Sequence, residues 1–142
     1  MRIDAGVGEA DQLMVGQIVR ATGEYLWVDA EEKLDAVTAI SGSGPAYVYY
    51  FMEAMTAAGA DMGLTREQAY QLTVATFIGA SELARSANEP PEIRRQRVTS
   101  KGGTPHAAIS TMDEFDIKPR FARALHAARQ RAKELGQEFG AG

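Results

Sequence analysis

The sequence predicts a nearly all-α protein, and three observations carry that expectation. Alanine-rich stretches set apolar residues three and four apart over most of the 142 residues. Helix starts are marked by a capping box, Thr65-Arg66-Glu67-Gln68, and by prolines at positions that suit a first turn. Only Tyr25-Leu26-Trp27-Val28 reads as a short strand or extended piece.

In chain order, residues 8–22 form the first expected helix. Leu13, Met14, Ile18 and Val19 make its apolar face, acids occupy its first turn, and Gly23 ends it. Residues 30–41 read as a short helix. The next starts with Ser43 as N-cap and Pro45 in the first turn, where a missing N–H costs little, and stops at Gly63. The capping box opens a helix that runs to about Ala87. Prolines 90 and 91 open a short helix over "EPPEIRRQRV". A helix over about 104–113 and a last one over about 118–138 complete the chain. Pro119 opens the last, whose arginines and lysines toward the C-terminus suit the helix dipole.

Two central helices are unusually apolar. Glu53 is the only charge in residues 46–58, and residues 69–80 carry none. A helix apolar around its circumference is buried on every side. A small bundle covers two such helices with difficulty, so one face is expected to meet a second subunit. The alternative is that the other four helices cover both within one chain.

Composition narrows the function. A net charge of −4 gives the molecule no reason to attract nucleic acid or an anionic membrane. The absence of cysteine excludes disulfides, thiol catalysis and cysteine-ligated zinc, and agrees with a cytoplasmic home. The start "MRIDAGVGEAD" has no apolar leader core, and "PAYVYYFM" is too short to span a bilayer. His106 and His126, twenty residues apart without nearby acidic ligand spacing, make no metal site. Asp11, Glu31 and Glu32 read as solvated helix faces. The basic run "RALHAARQRAKE" reads as a solvated helix face or one packed on a mate.

Residues 97–109, "RVTSKGGTPHAAI", interrupt the helical pattern. Glycines beside a helix start let backbone N–H groups approach a ligand, and the positive end of the helix dipole favours an anion. Thr99, Ser100 and Thr104 add hydroxyls and Lys101 an ammonium. The conservative reading is that Gly102 and Gly103 end one helix and Thr104 caps the next, with Pro105 first in it. Phosphate is the weaker ligand, because the spacing of a P-loop is missing. "GVG" (6–8) and "GSG" (42–44) lack the third glycine and the βαβ setting of a dinucleotide fingerprint.

Residues 35–55, "DAVTAISGSGPAYVYYFMEAM", and 92–113, "EIRRQRVTSKGGTPHAAISTMD", resemble the two signature segments of pyrroline-5-carboxylate reductase, and "WVD" (27–29) fits the same family. The resemblance runs from about residue 12 to 138, over the family's C-terminal helical part. It implies an intertwined helical bundle dimer of the 6-phosphogluconate-dehydrogenase C-terminal-domain-like type, with residues 1–142 forming a dimerisation and substrate-binding domain. The family's N-terminal Rossmann domain is absent from the chain in this reading. The implied reaction is reduction of 1-pyrroline-5-carboxylate to L-proline with NADPH or NADH. The chain alone is expected to bind no cofactor and to be inactive. The implied partner is an identical subunit, as a homodimer or, as in some members, a decamer.

The resemblance also assigns the loop. Ser100 and the backbone N–H groups of Gly102, Gly103 and Thr104 would hold the substrate carboxylate. Thr38 matches a threonine placed near the active site, the other reading being a hydroxyl bonded to its own helix. Where the family usually has a second threonine near the imine nitrogen, this sequence has Pro105, with neither hydroxyl nor N–H. No catalytic dyad is expected, because hydride transfer to an imine needs an oriented substrate more than a strong base. The alternative function is a non-catalytic helical oligomerisation module that keeps the fold.

Overall fold

The computed structural model describes residues 6–21 and 23–140. They form seven α-helices and one π turn, with no strand among the described residues. Two compact units result, described separately below: residues up to Gly44 together with those from Arg123 onward, and Pro45–Ala122.

In the first unit, α1 spans Glu9–Arg20. Gly8 caps it, and the Asp11 carboxylate accepts the Gly8 N–H at 3.0 Å. The helix stops at Arg20, and Gly23 turns the chain with a φ of 147° that a side chain would resist. Thr22, expected inside α1, lies outside the described residues. Residues 24–27 form no regular element, and Val28 makes an isolated β-bridge. Tyr25 and Trp27 meet edge to face at 6.2 Å, Val28 is buried, and Leu26 is exposed. Gly16 is buried because the Tyr25 hydroxyl occupies the place of a Cβ, 2.6 Å away.

α2 spans Glu32–Val37 and runs into a π turn, Thr38–Gly42, before α3, Gly44–Asp61. The expected N-cap at Ser43 does not form. Ser43 is itself helical (φ −89°, ψ −12°), and its N–H donates to the Thr38 carbonyl five residues back at 2.9 Å. Pro45 supplies the reason. It has no N–H for the helical ladder, and its ring crowds the Ser41 carbonyl four residues earlier, so the chain widens there instead of breaking.

In the second unit, α3 ends in a Schellman motif. Gly63 takes φ 102°, its N–H meets the Ala60 carbonyl at 3.0 Å, and the Leu64 N–H meets Gly59 at 3.1 Å. α4, Arg66–Ser86, opens with the expected box: Thr65 Oγ1 accepts the Gln68 N–H at 3.1 Å, and Gln68 Oε1 accepts the Thr65 N–H at 2.9 Å. The reversal presses α3 against α4 through small residues, Gly59 and Ala69, with Thr56 and Thr73 also buried. α5 is Pro91–Arg97 and α6 is Thr104–Glu114.

α7, Ile117–Gly140, begins in the second unit and ends in the first. Its start contributes Phe121, edge-on to Tyr47 at 5.9 Å and to Phe51 at 5.4 Å. Its last turn carries no cation, contrary to expectation. The basic residues stop earlier, where Arg131 pairs with Glu134 at 3.3 Å and Glu138 at 2.8 Å. Gln130 and Arg131 together hold the Glu134 carboxyl below its ordinary range.

Among the described residues no side chain is completely buried. Tyr49 and Tyr50 on α3 are 62% and 69% exposed, and Tyr70, Leu72 and Ile78 on α4 are exposed as well. Within the second unit, α3 and α4 therefore keep large apolar side chains exposed, as the expectation of a second subunit requires.

The α3–α4 reversal makes a prediction whose sign the structure decides. In an ordinary helix interior, Gly59→Ala would stabilise by about 1 kcal/mol. Here the new Cβ would stand 2.7 Å from Ala69 Cβ and 3.5 Å from Ala69 Cα. Denaturant unfolding of Gly59→Ala should show a loss of roughly 1–2 kcal/mol. The loss should vanish when the same change is made in an Ala69→Gly background.

Candidate functional site

The loop expected to carry function starts as α5 runs out. The Val98 N–H reaches the Arg94 carbonyl at 3.3 Å, and the Thr99 N–H reaches Gln96 at 3.1 Å. Thr99 Oγ1 donates to the Arg95 carbonyl at 2.6 Å, so this hydroxyl ties the loop to α5. The chain then reverses over Ser100–Gly103, closed by the Gly103 N–H to the Ser100 carbonyl at 3.0 Å. Gly102, third in the turn, has φ 78°, the left-handed conformation that a type II turn demands of that position.

Gly103 is required for a different reason. A Cβ there would fall 2.6 Å from Ser100 Oγ and 3.2 Å from the Ser100 carbonyl oxygen. Only a residue without a side chain lets the serine fold back over the turn. The two glycines are thus not interchangeable: one supplies a backbone conformation and the other supplies space.

Gly103 is also the N-cap of α6, with extended φ −79° and ψ 170° and no side-chain cap. This corrects the conservative reading of the loop. Thr104 is the first helical residue, not the cap, and Pro105 is the second. The Ala107 N–H closes the first helical bond, to the Gly103 carbonyl at 3.2 Å. The N–H groups of Thr104 and His106 precede that ladder and have no intrahelical acceptor, while Pro105 between them has none to offer. With Ser100, Lys101 and Thr104 exposed, the positive end of α6 is open to an anion.

Of the residues expected to bind the carboxylate, Ser100, Gly102, Gly103 and Thr104 are gathered in this one turn. Their parts differ. Gly103 spends its N–H inside the turn, so Ser100 Oγ and the N–H groups of Gly102 and Thr104 remain as donors.

Thr38 belongs to the first unit, at the head of the π turn. Its carbonyl receives the Ser43 N–H, and its side chain is exposed, with Cγ2 3.6 Å from where a Gly42 Cβ would stand. The residue whose hydroxyl bonds back to its helix is Ser41, to the Val37 carbonyl at 2.9 Å. The π turn is a feature that sequence reading missed. Its signal was available in Pro45, four residues after a carbonyl that it obstructs. Such single wide turns occur often at functional sites.

Neither short glycine motif has the strand-turn-helix setting of a dinucleotide fingerprint among the described residues. Gly42 ends the π turn and Gly44 begins α3, with no strand before them among the described residues. Gly8 caps α1, and what precedes Gly6 lies outside the described residues. Among the described residues no cluster of three histidine or acidic side chains could hold a metal ion. No helix among them is long and apolar enough to cross a membrane.

Residues 31–135 match the family model described as pyrroline-5-carboxylate reductase dimerisation. The chain is 46% identical over 138 residues to pyrroline-5-carboxylate reductase of Pseudomonas aeruginosa, covering 96% of this chain and 50% of that protein. It is 35% identical over 137 residues to the Arabidopsis thaliana enzyme of the same name, covering 96% and 49%. Among solved structures, a pyrroline-5-carboxylate reductase from Coxiella burnetii superposes with a TM-score of 0.90 at 38% identity, over 94% of this chain and 50% of that one. Pyrroline carboxylate reductase of Plasmodium falciparum, solved with NADP bound, superposes with a TM-score of 0.81 at 30% identity and the same coverage. The chain spans about half the length of the relatives it matches. With its signature loop and apolar helices both inside the matched segment, the chain belongs to the pyrroline-5-carboxylate reductase family, of which it carries the dimerisation domain.

Proposed function

We propose that this chain supplies the dimerising surface and the substrate-carboxylate loop of an oxidoreductase that reduces 1-pyrroline-5-carboxylate to L-proline in the cytoplasm. The turn over Ser100–Gly103, opening the N-terminus of α6, is the observation that carries the reading. It places a hydroxyl and an unpaired helix N–H one turn apart in the segment that resembles the family's signature.

In this reading the domain comprises all 142 residues and works by holding the substrate. The carboxylate accepts hydrogen bonds from Ser100 Oγ and the Thr104 N–H, and Lys101 adds positive charge beside them. Gly102 and Gly103 let the backbone come close. Anchoring the carboxylate fixes where the imine carbon of the ring lies, and that orientation is the chain's contribution to rate. Thr38 stands near the reacting ring. NADPH or NADH would supply the hydride, held by a dinucleotide-binding domain outside these residues. The imine nitrogen takes its proton from solvent, since Pro105 stands where a donor would serve it. The exposed faces of α3 and α4 are covered by an identical subunit.

A second reading has one observation in its favour. Pro105 fits the second position of α6 well, because its fixed φ suits a helix start. It strengthens the helix while removing a donor, as would suit a non-catalytic oligomerisation module.

Activity measured with the chain joined to a family cofactor domain separates the readings. Ser100→Ala should raise the KM for pyrroline-5-carboxylate about tenfold or more, the worth of one hydrogen bond to a charged group, and leave the KM for the nicotinamide unchanged. An unchanged substrate KM would remove the loop from the site. In the same background, Pro105→Thr should raise kcat, and failure to do so would favour the non-catalytic module. The chain by itself should oxidise neither NADPH nor NADH in the presence of pyrroline-5-carboxylate.

A further inference from the structure

Within the second unit, a cavity of about 250 Å³ opens between α3 and α4, lined by Tyr49, Met52, Glu53, Thr56, Arg66 and Tyr70. The four residues from α3 are spaced three, four and seven apart, so they form one stripe. The cavity brings two opposite charges among apolar rings. It holds the only charge in residues 46–58 and the first residue of α4. Glu53 and Arg66 share the cavity but form no ion pair with each other. At its floor Thr56 is 94% buried by its 6% exposure, and its hydroxyl has no hydrogen-bond partner.

These features conflict with a free surface and with a purely apolar interface. Tyr49 and Tyr70, 62% and 56% exposed, present broad rings that favour coverage. Covering them strips water from Glu53 and Arg66 and completes the isolation of the Thr56 hydroxyl, which is costly unless each finds a partner. A two-fold symmetric interface supplies such partners in pairs. If an acid on one copy meets a base on the other, the same contact recurs on the far side of the axis. One acid, on α3, and one base, on α4, around the same cavity are what that symmetry needs.

We propose that the α3–α4 cavity is closed by a second copy of this chain, with Glu53 pairing to Arg66 of the partner subunit across the two-fold axis. The inference rests on the self-association proposed above and deepens it. The apolar rings supply the affinity. The charge pair fixes orientation and register, because sliding or inverting the partner would leave the acid and the base buried apart.

The test is a charge exchange on the full chain. Glu53→Arg and Arg66→Glu, made singly, each oppose like charges in a homodimer. Each should weaken self-association at least about tenfold by analytical ultracentrifugation. Co-expressed with different tags, the two variants restore both pairs in a mixed dimer, and tandem purification should recover it in excess over either homodimer. That recovery is expected even where a single variant fails to fold alone. A pair formed inside one chain would leave both halves of the mixed dimer mismatched and give no preference. A dimeric wild-type chain whose variants show no preference for each other overturns the pairing and leaves the dimer reading standing. A monomeric wild-type chain overturns both.

Discussion

Tyr49, Tyr50, Tyr70, Leu72 and Ile78 stand in solvent on two helical stretches, residues 46–58 and 69–80, whose one charge is Glu53. Apolar area removed from water contributes about 25 cal/mol per Å², and a domain is stable by only about 5–15 kcal/mol. A chain that leaves such faces open forgoes burial on the scale of its whole stability. The family's dimerisation domain is matched over the very helices with this deficit. The Schellman turn at Gly63, the capping box at Thr65 and the contact of Gly59 with Ala69 set α3 against α4. Those contacts hold the two helices together at the reversal.

The departures from helical regularity are of a different kind. At Pro45 the helix widens but continues. At Gly102 and Gly103 it stops, reverses and starts again with donors exposed. Both are produced by residues that cannot keep a regular helix: a proline that lacks an N–H, and glycines that accept a left-handed φ or leave room for a neighbour. Each leaves main-chain or hydroxyl groups without the partners a regular helix provides. Binding residues need such vacancies, and the rest of the fold has few of them.

Helix existence was legible because each signal is local. The Thr65–Gln68 box and the glycines at 23 and 63 act within one turn of their own positions, and the structure places helix ends beside them. The loop's membership was legible for the same reason. Three details were not. Ser43 is helical instead of capping because Pro45 acts on a carbonyl four residues away. Thr104 is not the cap because Gly103 can take the extended cap geometry itself. The last turn of α7 has no cation because the helix runs on past its basic residues to Gly140.

The sequence by itself determined that the chain is helical, where its turns fall, and that two helices are too apolar to remain uncovered. Those properties follow from short-range steric and hydrogen-bonding rules and from residue type. Tertiary structure decided what a one-dimensional pattern cannot encode. It showed that Gly103 must be small because Ser100 folds over it, and that Gly59 must be small because Ala69 lies against it. It also placed Glu53, Thr56 and Arg66 around one cavity. Each of these depends on distances between residues brought together by a chain reversal. Such distances exist only after the backbone has turned.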